Sequence, residues 1–156
     1  NMSRHPRLRR ILKWTGLGFV ALLVAIQLVP YGRDHTNPPG GRQIAWDGPR
    51  TQRLMTDACM DCHSNLTTWP WYSNIAPVSW LVQRDVDEGR AALNLSTGEA
   101  EVQEMIETIE SGSMPPWVYK PTHPASRLSD QERQELIRGL QATFGAGGGE
   151  GEDAGG

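Results

Sequence analysis

The sequence predicts an all-α fold: one membrane-spanning helix, then a small helical domain with long loops. Three observations predict it. No run of four to eight residues alternates apolar and polar side chains, and Val and Ile are too few for the buried strands of a parallel sheet. Two segments place apolar residues at helical spacing behind a capping box. Gly (17) and Pro (11) are abundant while apolar residues are 38%, so much of the chain must be connection. At 156 residues and 17.3 kDa there is material for one domain of ordinary size.

The charge is divided along the chain. Residues 1–31 carry five basic residues and no acid, and the remainder sets ten Lys/Arg against all 18 Asp/Glu. A surplus of eight negative charges in the body excludes a nucleic-acid partner. Arg4, Arg7, Arg9, Arg10 and Lys13 precede an uncharged run from Trp14 to Tyr31 in which Gln27 is the one strongly polar residue. At about 1.5 Å per residue such a helix reaches roughly 27 Å, near the thickness of a bilayer core. The expectation is an uncleaved single-pass anchor in the cytoplasmic membrane, touching lipid through residues 14–31. Its basic N-terminus stays inside and the body lies in the periplasm or outside the cell. A signal peptide fits less well, because the run is longer than an ordinary signal core and Ala21 and Ala25 are wrongly spaced for cleavage.

Residues 32–49, rich in Gly and Pro, read as an extended linker or wrapping arm. Residues 50–64 suit a short helix. Residues 65–80 contain Trp69, Trp71, Tyr72 and Trp80 among Pro70 and Pro77, too interrupted for one element. Val82 to about Leu93 suits a helix. Ser96 and Glu99 match a capping box ahead of Val102, Met105, Ile106 and Ile109, and Ser129 and Glu132 match another ahead of Leu136, Ile137, Leu140 and Phe144. The tail, 145–156, is Gly, Ala and acid, and cannot bury a core. The main helical domain therefore spans 50–144.

Cys59-Met60-Asp61-Cys62-His63 is C-x-x-C-H, the attachment signature for c-type haem. Two cysteines three apart on a helical turn reach both vinyl groups of one porphyrin, and the adjacent imidazole is held under the iron as an axial ligand. Other uses of the cysteines fit less well. A redox dithiol wants a strand and a βαβ unit that the sequence lacks. Zinc wants four ligands, and only His35 or His123 could complete three. A disulfide here closes too small a loop to stabilise much. The expected cofactor is one covalently attached haem, with iron bound by His63.

For the sixth ligand, Met55 and Met60 lie too close to the motif to cross the haem, and His35 is a weaker candidate. Met105 falls on the apolar stripe of its helix. Met114 sits in Gly112-Ser113-Met114-Pro115-Pro116, where two prolines stop a helix and stiffen a loop. It is the expected ligand, with His123 next. A thioether favours Fe(II), and six-coordinate iron leaves no substrate position, so electron transfer is expected rather than an enzyme. A haem sensor or ligand-binding module, or a peroxidase-like enzyme, is the alternative. Trp69, Trp71, Tyr72 and Trp80 are candidates to line the pocket and bond a propionate. Asn65 and Asn74 suit turns, and Arg50 and Arg53 could face propionates or solvent. The acids of 85–88 and 99–110 could steer a basic partner.

Several blocks resemble the bacterial haem-binding domain family with a single C-x-x-C-H. These are Cys59 to Asn65, Trp69-Pro70-Trp71-Tyr72-Ser73 and on to Trp80, Leu93-Asn94-Leu95-Ser96, Met114-Pro115-Pro116, and the arm Asn37-Pro38-Pro39. The likeness runs from about Tyr31 to Phe144, with Leu66 where the family often has an acid. It implies haem binding, commonly in a membrane-anchored protein facing the periplasm. The element order is also similar to class I cytochromes c, which implies that the first and last helices of the domain cross beside the haem. The expected role is to carry single electrons to or from a redox protein, alone or within a respiratory or photosynthetic membrane complex.

Overall fold

The computed structural model describes residues 6–98 and 100–145. Six α-helices and no strand occur among them: α1 (Pro6–Ile26), α2 (Pro49–Ala58), α3 (Met60–His63), α4 (Val78–Ala92), α5 (Val102–Glu110) and α6 (Asp130–Gly145). Short 3₁₀ turns lie at Trp71–Asn74 and Pro124–Ser126. The all-helical prediction holds. Arg4, Glu99 and the tail 146–156 lie outside the described residues. Two compact units emerge, one of residues up to Thr36 with Trp69–Arg84, the other of Asn37–Thr68 with Asp85 onward.

The first unit corrects the membrane helix. No helix among the described residues is long and apolar enough to cross a membrane. Helix α1 starts at Pro6, spends its first two turns on Arg7, Arg9, Arg10 and Lys13, and ends at Ile26. Its uncharged part, Trp14 to Ile26, is about 20 Å long at 1.5 Å per residue, well short of a bilayer core. Leu28 to Tyr31 lie beyond it. A polar tie stands where the predicted span should have continued. The Gln27 Nε2 donates to the carbonyl of Ala76 at 2.9 Å, and the Ala76 N–H donates to Gln27 Oε1 at 3.0 Å. The predicted single-pass topology, and the localisation built on it, fall with the span.

The same unit folds tightly around its turns. Gly32 has φ +81°, and a Cβ there would lie 2.5 Å from the Ser79 carbonyl oxygen, so only glycine fits. His35 stacks on Trp69, ring centres 4.7 Å apart, and its Nε2 lies 3.0 Å from the Ser73 carbonyl.

The second unit holds the apolar core. Leu54 and Met55 of α2, Leu95, Met105, Ile106 and Ile109 of α5, and Leu136, Ile137 and Leu140 of α6 are buried together. The predicted stripes of α5 and α6 are therefore the faces that pack. Helix α6 begins as expected: the Glu132 N–H donates to Ser129 Oγ at 3.2 Å, and Glu132 Oε2 accepts the Ser129 N–H at 3.0 Å. The other predicted box involves Glu99, outside the described residues, and Ser96 is not the N-cap of α5. Helix α5 starts at Val102 with Glu101 before it, and Ser96 Oγ instead accepts the N–H of Asn65 at 3.0 Å.

Helices α2 and α6 pack against each other at Thr51 and Gly139. A Cβ on Gly139 would come within 2.7 Å of Thr51 Cγ2, so the missing side chain sets how closely the helices approach. Arg50 of α2 reinforces the pair, 3.0 Å from both Glu132 and Glu135. Residues 37–48 run along this unit, with Arg42 N–H donating to Ser96 O and Asp47 N–H to Thr143 Oγ1.

Candidate haem site

The residues of C-x-x-C-H form a turn of their own. Cys59 ends α2 with φ −130° and ψ −39°, which breaks the predicted helix over 50–64 in two. Its carbonyl then accepts the N–H groups of Cys62 (3.2 Å) and His63 (3.0 Å), closing the short α3. Both thiols stand on this turn as free, half-buried cysteines. Burial and the neighbouring Cys62 push the Cys59 thiol up to about 12. Burial, Asp61 and Asp85 push Cys62 up to about 11, against the pull of Arg90. Both are neutral at ordinary pH. That is the opposite of the lowered thiol pKa a redox dithiol uses, so the structure disfavours that reading.

His63 is oriented by the chain that follows α4. Its Nδ1 lies 3.2 Å from the Leu93 carbonyl oxygen, which makes Nδ1 the protonated nitrogen of the neutral ring. Nε2 has no hydrogen-bond partner among the described residues. A histidine anchored through one nitrogen, with the other open, is what a metal-ligating imidazole needs. The His63 carbonyl in turn accepts the Leu95 N–H at 2.9 Å. Asn94 Nδ2 donates to Asn65 Oδ1 at 2.9 Å, and Ser96 Oγ accepts the Asn65 N–H. Segment 93–96 is thus fastened to 63–65 by four hydrogen bonds, joining two blocks about thirty residues apart in sequence.

Helix α4 closes on the turn from another side. A Cβ at Gly89 would lie 2.5 Å from the Cys62 carbonyl oxygen and 2.9 Å from Cys62 Cβ. The next residue, Arg90, donates from Nε to the Ser64 carbonyl (2.8 Å) and from its terminal nitrogen to Thr67 Oγ1 and Asn37 Oδ1 (both 2.9 Å). Sequence reasoning missed Leu93, Gly89 and Arg90. A main-chain carbonyl has no sequence signal, and Gly89 sits inside a helix with nothing local to explain it. Only the quoted block Leu93–Ser96 hinted at the first.

Asp61, inside the motif, organises the next layer. Its Oδ1 accepts the Thr68 N–H at 2.9 Å and its Oδ2 accepts the Tyr119 hydroxyl at 2.8 Å. Burial and this carboxylate push the Tyr119 phenol far up, so it stays a donor. His123 stacks face to face on Tyr119, ring centres 3.7 Å apart, with Nε2 4.0 Å from Asp61 Oδ2. That places His123 in this cluster. Met114 lies past α5 in the loop after Gly112 (φ +72°), its N–H donating to the Thr108 carbonyl at 3.1 Å and 38% of its surface exposed. Met105 is a core residue, as its place on the apolar stripe suggested, and Met55 is buried in the same core. Arg50 is held by α6 carboxylates. Trp69, Trp71, Tyr72, Trp80 and His35 belong to the first unit, where Trp71 is 75% exposed against the edge of Tyr72 and the indole nitrogens of Trp69 and Trp80 are buried without a partner among the described residues.

Two neutral thiols one helical turn apart beside an anchored imidazole open at Nε2 are donors that suit iron porphyrin, while Met114 stands apart on its own loop. The haem-binding domain family model matches residues 21–142, and the chain belongs to that family. No curated protein and no solved structure is significantly similar to it.

Proposed function

We propose that this haem protein is a mono-haem c-type cytochrome that carries single electrons. The observation that carries the reading is the anchored His63, fixed through Nδ1 to Leu93 O on the same turn as two free thiols. Cys59 and Cys62 would hold the porphyrin by adding their thiols across its two vinyl groups, and His63 Nε2 and Met114 Sδ would bind the iron. Bound haem supplies a one-electron Fe(III)/Fe(II) couple. The protein fixes both ligands in either oxidation state. His63 is held by the main chain of 93–95, and Met114 stands on a loop stiffened by Pro115 and Pro116. Thioether ligation places the potential above that of a bis-imidazole haem. The partner is another redox protein.

Extraction of the purified holoprotein with acid acetone tests the attachment. Colour retained on the polypeptide, and lost from it in Cys59→Ser/Cys62→Ser, is expected. Complete extraction from the wild type would overturn covalent attachment. Slow carbon monoxide binding to the reduced protein is expected of an electron carrier, and rapid binding would favour a ligand-binding module instead.

A further inference from the structure

The loop between α5 and α6 carries both Met114 and Tyr119. At its start it is fastened to the end of α5, where Met114 N–H and Ser113 Oγ both donate to the Thr108 carbonyl. Five residues past Met114, the Tyr119 hydroxyl leaves the loop and donates to Asp61 Oδ2 at 2.8 Å. Asp61 lies between the two motif cysteines and is itself held by the Thr68 N–H. The stacked His123 keeps the Tyr119 ring from swinging away, aided by Thr122 Oγ1 3.0 Å from His123 Nδ1. Phenol, imidazole and carboxylate form one wall of a cavity of about 410 Å³, which Thr56, Met60 and Pro124 also line.

We infer that Tyr119 is a positioning residue for the sixth ligand: its hydrogen bond to Asp61 moors the Met114 loop to the haem-attachment turn. The inference rests on the reading of Met114 as axial ligand. The bond joins the segment that supplies the thioether to the segment that supplies both cysteines and His63, so it fixes the loop relative to the turn. Pro115 and Pro116 stiffen the chain locally but do not place it against α3. A hydrogen bond to a charged acceptor is among the stronger neutral-donor contacts, large enough to shift a ligand on–off equilibrium by about tenfold or more.

The test uses the full-chain holoprotein and Tyr119→Phe, which removes one oxygen and keeps the ring. Covalent haem per polypeptide should be unchanged. The far-red absorption of Met-ligated ferric haem should weaken, and carbon monoxide should bind the reduced protein roughly tenfold faster. Asp61→Asn, which weakens the same acceptor, should move both readouts the same way and serves if Tyr119→Phe fails to fold. In a Met114→Ala background Tyr119→Phe should add nothing to the rate. Wild-type far-red absorption and wild-type carbon monoxide kinetics in Tyr119→Phe would overturn the tie while leaving Met114 in place. So would an equal acceleration with and without Met114. A wild-type protein lacking that absorption from the outset would instead remove Met114 as ligand, and this inference with it.

Discussion

His63 Nδ1 meets the carbonyl oxygen of Leu93 at 3.2 Å, and this one contact decides how the imidazole faces. The acceptor belongs to the main chain, so no side-chain substitution at Leu93 removes it. What holds the carbonyl in place is the close approach of α4 to the turn that carries Cys59, Cys62 and His63.

Gly89 permits that approach. Gly89→Ala puts a methyl 2.5 Å from the Cys62 carbonyl oxygen, against backbone that cannot rotate aside. The expected outcome is a shift of Cys62 and of Leu93, and a several-fold fall in covalent haem per polypeptide. Haem content measured after acid-acetone extraction checks it, and normal loading would show that α4 yields without disturbing the turn.

Gly139→Ala strains the α2–α6 crossing instead. The added methyl would meet Thr51 side-chain atoms, and overpacking of this kind costs about 1–3 kcal/mol. Urea unfolding should show the loss, with haem loading intact. Because the obstacle is a side chain, Thr51→Ala in the same protein should recover part of the stability, unlike the Gly89 case. No recovery would place the strain in the backbone.

Met114→Ala should lower the reduction potential and open the iron to carbon monoxide, since a soft ligand favouring Fe(II) is lost. Redox titration followed by absorption measures both. An absorption spectrum identical to the wild type would mean that another residue, with His123 the next candidate, is the ligand.

The start of α6 carries a pH dependence. Hydrogen bonds from the Ser129 N–H and hydroxyl, then Arg50, hold the Glu132 carboxyl below its ordinary value of 4.5. A depressed carboxyl contributes stability above its unfolded pKa and loses it as pH falls through the folded one. Thermal unfolding from neutral pH downward should therefore show α6 weakening in the acid range. Glu132→Gln should flatten that part of the profile, and an unchanged slope would assign the acid sensitivity elsewhere.

Much of the fold was legible because its code is local. Helix α6 announced itself through Ser129, Glu132 and the stripe at 136, 137, 140 and 144, all within reach of one helix. The attachment motif is five consecutive residues. The errors are where a distant partner intervened. Hydropathy counts apolar residues and does not see where a helix stops, so the run from Trp14 to Tyr31 read as a span although Gln27 is tied to a peptide 49 positions away. Ser96 looked like a cap, yet its hydroxyl is taken by Asn65, 31 residues earlier.

By itself the sequence determined the helical class, the packing faces of α5 and α6, and which thiols and imidazole are proposed to hold haem, because adjacency and helical period fix these without reference to the rest of the chain. Tertiary structure alone decided which way His63 faces, which glycine makes room for Cys62, and that Asp61 receives Tyr119. Those choices are made by main-chain groups alike in every residue and by the absence of a side chain. Neither acquires meaning until distant segments are brought within hydrogen-bond or van der Waals range.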